Sequence, residues 1–262
     1  MTGNSKKNKP YVARFRRYEC KYLITESQAE AVRRYIAPFV NVDAYAAGSP
    51  DRSYDIASIY LDSPDLRLFR ESQEGVLDRI KLRIRHYSEA AAAPVFLEIK
   101  RRHNRLVLKG RARLDRDAAS LMLAGGVPDT SRLAIGERAS YEEFVGWVGR
   151  WIARPLIWVK YRREAFVGLF DTGIRITMDR NLLCSPTAEG NGLLPTCSWR
   201  PIENRRVVLE LKFNHSYPDW MRCLAQRFNL KQRSYSKYGK AVLRGIDAWR
   251  LSSGCAWSLP MA

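Results

Sequence analysis

The segment over residues 78–87 constrains the chain more than any other. Ile80, Leu82 and Ile84 alternate with Arg79, Lys81, Arg83 and Arg85. Successive side chains of an extended chain point to opposite faces, so this period of two predicts a strand with one apolar face and one face carrying four positive charges. A lone strand of this kind sits readily at a surface with its charges in water. The pattern recurs, however. Val95, Leu97 and Ile99 oppose Glu98, Lys100 and Arg102, and Leu106 and Leu108 oppose Arg105, Lys109, Arg111 and Arg113. Leu209, Leu211 and Phe213 oppose Glu210 and Lys212, while Arg17, Glu19 and Lys21 share a parity against Tyr18, Cys20 and Tyr22.

A sheet with one wet face would carry Thr, Ser, Asn and Gln there. Here that face is mostly Arg and Lys, with a Glu two residues before a Lys at Glu19/Lys21, Glu98/Lys100 and Glu210/Lys212. One such pair reads as a surface ion pair; three on separate strands favour a shared functional face. If the strands close into a barrel with these faces inward, the cations crowd a lumen that a polyanion would neutralise. A carboxylate among them has the hardness that Mg²⁺ or Mn²⁺ needs, and Glu210 is the best candidate ligand. Arg83, Arg85, Arg163 and Arg175 suit phosphate oxygens, since a guanidinium makes two parallel charge-assisted bonds. Taken singly, each serves a structural salt bridge as readily.

The rest of the chain reads as follows. Strands are predicted at 11–24, 54–61, 78–87, 95–102, 105–113, 156–168, 173–180 and 206–213, eight in all. Thr25-Glu26-Ser27-Gln28 has the form of a capping box opening a helix to about Pro38. Asp62-Ser63-Pro64-Asp65 caps a short helix carrying Leu66, Leu68 and Phe69. Further helices are predicted within 117–153, from 217 to about Phe228 and to about Trp249. Residues 41–52 and 184–204 read as loops. Ser236-Lys237, in a stretch beside Gly239, could cover the mouth of a tunnel, with an N-cap by Ser236 as the competing role. Residues 1–10 are expected to be a disordered basic tail, 11–250 one domain and 251–262 a C-terminal tail.

Composition sets the partner and excludes several classes. Forty-five Lys and Arg against 27 Asp and Glu leave a formal charge of +18, which calls for an anionic partner. The five cysteines show no CxxC pair, so neither a zinc site nor a disulfide framework is expected. No run reaches the roughly 18 apolar residues needed to span a bilayer, and no P-loop glycine pattern is present. His86, His103 and His215 are scattered and receive no catalytic role. The aromatic residues alternate mostly onto the apolar faces, which favours a linear phosphate chain over nucleic acid as the ligand.

Taken in order, Arg17/Glu19/Lys21/Tyr22, Ser-Ile-Tyr-Leu-Asp at 58–62, Lys-Leu-Arg-Ile-Arg at 81–85, Leu-Glu-Ile-Lys at 97–100, Tyr-Arg-Arg-Glu-Ala-Phe at 161–166, Leu-Glu-Leu-Lys at 209–212 and Ser-Lys-Tyr at 236–238 form an ordered set. It resembles the VTC domain, the polyphosphate polymerase domain of the vacuolar transporter chaperone complex and a member of the triphosphate tunnel metalloenzymes. The resemblance spans residues 14–245. It implies an α+β fold, an eight-stranded antiparallel β-barrel tunnel with helices packed around it. It also implies transfer of the γ-phosphate of ATP to a growing polyphosphate chain, with Mn²⁺ or Mg²⁺ as cofactor. A triphosphatase on the same scaffold, or a non-catalytic polyphosphate- or nucleic-acid-binding module, is the alternative.

Carried over by position, the resemblance puts Lys21, Arg83, Arg85, Lys100, Arg163 and Lys237 at the reacting phosphates. Lys81, Lys109, Arg111, Tyr161, Arg175, Lys212 and Ser236 would line the bound chain, and Glu210 would hold the metal, with Glu19 and Glu98 as further ligands. The sensing domain and membrane helices of fungal members have no counterpart in these 262 residues, and Ser234 stands where a base is expected. A stand-alone bacterial-type protein is therefore expected. It would be cytoplasmic or peripheral at the inner face of the membrane, with a separate membrane protein as partner.

Overall fold

The structure, a computed structural model, describes residues 17–103, 106–187, 199–214 and 216–253. The tail expected over 1–10, most of that over 251–262, and Cys197, Cys255 and His215 lie outside them. In chain order the elements are β1 (Arg17–Ile24), α1 (Glu26–Ile36), β2 (Val40–Val42), α2 (Ala44–Ala47), β3 (Ser53–Asp62), α3 (Arg67–Glu74), β4 (Asp78–His86), β5 (Val95–His103) and β6 (Leu106–Leu114). Then come α4 (Arg116–Leu123), α5 (Ile135–Trp151), β7 (Arg154–Gly168), β8 (Arg175–Pro186), β9 (Arg200–Pro201), β10 (Val207–Asn214), α6 (Asp219–Arg227) and α7 (Lys237–Ser253).

Local chemistry sets several boundaries. The capping box opens α1: the Thr25 side chain accepts from the Gln28 N–H, and the Gln28 side chain accepts from the Thr25 N–H. Asp62 organises the start of α3, its carboxylate accepting from the N–H groups of Ser63, Leu68 and Phe69. Two stretches expected to be loops contain short elements. Within 41–52, β2 pairs with β7 and α2 is capped by Asp43. Strand β8 continues to Pro186 because a register shift opposite Lys160 and Arg162, with Asn181 at φ 50°, interrupts its alternation without ending it.

The eight long strands form one antiparallel sheet in the order β1-β10-β8-β7-β3-β4-β5-β6, with β2 and β9 added beside it. The expected closed barrel is corrected here: β1 and β6 are the ends of the path and are not hydrogen-bonded to each other. The free edge of β1 is taken instead by the segment leading to α7. Tyr22 bridges to Gln232, the Arg233 N–H donates to the Lys21 carbonyl at 2.9 Å, and Lys21 Nζ donates to the Tyr235 carbonyl at 3.0 Å. The sheet nevertheless curls until β1 meets β5, next to the far end, through side chains, with Lys100 of β5 lying 3.1 Å from Glu19 of β1.

Apolar packing explains the curl. Two clusters cover the convex side. One joins Ile59, Leu82, Leu97 and Trp158 to Met122 of α4 and Phe144 of α5; the other joins Met178, Leu209 and Leu211 to Val32 of α1 and Leu224 of α6. Burying each such side chain is worth about 1.5–3 kcal/mol. A third cluster lies inside the curl, where Tyr238, Ala241 and Val242 of α7 pack on Ile56, Val159, Tyr161 and Val208. The concave side is thus charged over part of its area and plugged by a helix over the rest. Among the described residues no helix is long and apolar enough to cross a membrane.

Candidate active site on the concave face

Strand parity and register place the cations of the sequence pattern on the concave face. Across β4, β5 and β6, Arg83 stands opposite Glu98, and Glu98 opposite Arg111. Glu98 is fully buried and becomes a hub. Arg83 Nη2 lies 2.6 Å from it, Lys109 Nζ 2.6 Å, Arg111 Nε 3.6 Å and Arg85 Nη1 3.8 Å. Burial would raise its pKa, but Arg83, Arg85 and Lys109 outweigh burial and hold the carboxyl well below the carboxylate range. The guanidiniums are also held from behind, Arg83 donating to the Tyr60 hydroxyl at 3.1 Å and Arg85 to Ser58 at 3.1 Å and to the Tyr161 hydroxyl at 3.3 Å.

A second hub forms across β1, β10, β8 and the start of α7. Glu210 lies 2.6 Å from Lys212, 2.9 Å from Lys237 and 3.8 Å from Lys21. Burial pushes Glu210 up, and Lys212, Lys237 and Lys21 more than reverse it, so it stays ionised. Asp179, also buried, takes Arg163 in a two-bond pair at 2.6 and 2.7 Å and Lys237 at 2.6 Å. Lys237 therefore reaches inside the curl instead of covering its mouth. Its ammonium lies 5.1 Å from the Tyr161 ring centre, and Arg163 lies 5.2 Å from the same ring.

Lysines dominate one end of this face. Lys81 and Lys100 are opposite each other across β4 and β5, and Lys100 and Lys109 across β5 and β6. Burial first, then Lys21 and Lys100, pull the Lys81 pKa down to about 7; burial likewise pulls Lys109 down to about 8 against the pull of Glu98. Ser236 serves as the expected helix cap, accepting from the Gly239 N–H inside α7 at 3.0 Å, and it also accepts from Lys81 Nζ at 2.8 Å. The three Glu/Lys pairs resolve differently. Glu210/Lys212 and Glu19/Lys21 are in contact along their strands, whereas Lys100 turns to Glu19 and leaves Glu98 to Lys109 and the arginines.

Aromatic side chains dominate the other end: Tyr22, Trp158, Phe166 and Phe213 pack in the apolar clusters as expected, whereas those at this end join the cations. Tyr60 and Tyr161 touch the guanidiniums, and beyond them lie Tyr54 of β3, Tyr87 just past β4 and Phe96 of β5. Arg111 stacks over Phe96 at 3.7 Å. Arg175 sits apart from both hubs, half-exposed and paired with Asp43. Asp179, Tyr60 and Ser58 received no site role from the sequence, although Ser58 and Tyr60 lie in the Ser-Ile-Tyr-Leu-Asp motif. The only signal for Asp179 is its shared parity with Arg175 on one strand, and for Tyr60 and Ser58 their parity depends on register with β4.

The donor set allows a limited test for a divalent ion. Glu19 and Glu210 lie on neighbouring strands, two positions off register; burial and then Glu210 push the Glu19 carboxyl up, and Lys21, Lys100 and Lys212 outweigh both and hold it down at about 2. Among the described residues no three Asp, Glu, His or Cys side chains group tightly enough to hold a metal alone. Glu210, with Glu19 beside it, fits an ion that takes most of its remaining ligands from phosphate oxygens and water. Glu98 faces four cations and sits away from this pair.

No curated protein matches the chain. Among solved structures it is similar to a Bacillus halodurans protein whose proposed activity is that of an adenylate cyclase, at 14% identity over 83% of this chain and 92% of that one, with a TM-score of 0.45. It is also similar to the PH1819 protein of Pyrococcus horikoshii OT3, at 14% identity over 87% and 98%, with a TM-score of 0.43. Residues 16–244, the whole sheet and the start of α7 included, match the model of the VTC domain. The chain belongs to the VTC domain family.

Proposed function

We propose that the chain is a metal-dependent polyphosphate polymerase that moves the γ-phosphate of ATP onto a growing polyphosphate chain held on its concave face. The observation that carries this reading is the convergence of Lys21, Arg83, Arg85, Lys100, Lys109 and Lys212 from five strands onto one curled surface, each already balanced against a carboxylate. Phosphoryl transfer leaves little covalent work to a protein, so alignment and charge stabilisation carry most of it. Arg83 and Arg85, fixed by Glu98, Tyr60, Ser58 and Tyr161, would grip the equatorial oxygens. Lys237, anchored by Asp179 and Glu210, would lie where charge develops. A divalent ion on Glu210 would supply further neutralisation of the triphosphate.

The deciding experiment incubates the purified protein with ATP and Mn²⁺ and compares a polyphosphate gel with a free-phosphate assay. Long polymer is the expected product. Free phosphate alone would make the protein a triphosphatase on the same face, and neither product would make it a binding module. Glu210→Gln is expected to abolish turnover while the circular-dichroism spectrum stays that of the parent; unchanged turnover would remove Glu210 from the site.

A further inference from the structure

The aromatic end of the concave face has no part in gripping phosphate, yet it is built. Tyr45 of α2 is 83% exposed, although its ring lies in a group with two others. The Tyr45 and Tyr87 rings are nearly parallel, at 10°, with centroids 6.5 Å apart. Tyr54 forms a third side, its centroid 6.4 Å from Tyr45 and 6.2 Å from Tyr87 and its ring tilted by 54° and 53°. The parallel pair is wider than rings packed against each other elsewhere in the protein, such as Phe39 and Trp220 at 4.7 Å and 3°. Phe96 meets Tyr87 edge-on at 5.6 Å, and Arg111 lies over Phe96 at 3.7 Å and over Tyr87 at 5.7 Å.

We propose that this group seats the nucleobase of the nucleotide whose phosphates lie on Arg83 and Arg85. The placement follows from strand geometry. Tyr87 is two residues beyond Arg85, roughly 7 Å at the rise of an extended chain, and Arg85 is paired directly with Phe96. A nucleotide laid along β4 with its phosphates at Arg83 and Arg85 carries its base past Tyr87. Flat aromatic faces and a guanidinium plane offer stacking to any base and little hydrogen-bond discrimination among bases. A quaternary ammonium group, the other ligand that aromatic boxes take, is disfavoured by Arg111 and the cations beyond it. The same geometry gives the bound chain a direction, with the nucleoside at the aromatic end and the polymer leading towards Lys81 and Lys100.

The inference rests on the concave face being a nucleotide site, and the test separates the two. Calorimetry measures ATP and inorganic tripolyphosphate on the parent protein and on Tyr45→Ala and Tyr87→Ala. ATP affinity is expected to fall at least about fivefold in each variant while tripolyphosphate affinity stays within about twofold of the parent. Parent protein that binds tripolyphosphate, with variants that leave ATP affinity unchanged or weaken both ligands equally, overturns the base subsite and leaves the phosphate site standing. Parent protein that binds neither ligand overturns both. Tyr45 is exposed, so its variant keeps the test open even where Tyr87→Ala fails to fold.

Discussion

The two ends of the concave face are built from different chemistry. At one, Tyr45, Tyr54 and Tyr87 group together and Arg111 lies over Tyr87 and Phe96, interactions that depend little on pH. At the other, Lys81, Lys100 and Lys109 stand on adjacent strands, Lys81 pulled down to about 7 and Lys109 to about 8 by burial first and then by neighbouring cations. Between them Glu98 gathers four cations. The difference teaches that the aromatic end presents ring faces without charge strain, whereas the lysine end stores electrostatic work that a polyanion would release.

The sharpest way to break this picture is to remove the charge in the middle. Glu98→Gln leaves Arg83, Arg85, Lys109 and Arg111 converging on a neutral group, and should cost about 3 kcal/mol in urea unfolding of the free protein. Tripolyphosphate should then raise the unfolding midpoint of the variant more than that of the parent. Equal stability without ligand would mean that the cations do not need Glu98. Next in size, Arg83→Ala with Arg85→Ala should weaken ATP and tripolyphosphate alike by about 100-fold, since each loses charge-assisted bonds worth about 1.5–3 kcal/mol. Retained affinity would place the phosphates elsewhere.

The smallest effect isolates the lysine end. Above pH 7 the free protein carries Lys81 largely neutral, while a bound polyanion favours the charged form, so binding takes up a proton. Tripolyphosphate affinity should therefore fall as pH rises from 7 to 9, by up to about tenfold per unit, and the slope should shrink in Lys81→Gln. Without ligand the sign for stability is set by the same depressed pKa: Lys81 contributes least favourably below 7, where the folded chain must protonate it. A slope unchanged in the variant would assign the proton to another group.

Much of the architecture was legible because it depends on short-range pattern. Alternation marked the eight long strands, and the side chains of Thr25 and Asp62 marked two helix starts. The short β2, α2 and β9 were not legible, being a few residues each and held by pairing with distant strands or by a single cap. Tyr54 and Tyr60 were not placed beside the cations because which parity of β3 joins the cations of β4 is set by register, and a shift of one residue reverses it.

The sequence by itself determined that this chain forms antiparallel strands with one cationic face each, because a period of two and an excess of Lys and Arg are properties of neighbouring residues. Only the tertiary structure decided how those faces meet. Lys100 pairs with Glu19 instead of Glu98, Lys237 turns inward to Asp179, and the chain before α7, not β6, takes the edge of β1. Those choices join residues from 58 to more than 200 positions apart. They are settled by competition among many similar charges for few carboxylates, which no local pattern records.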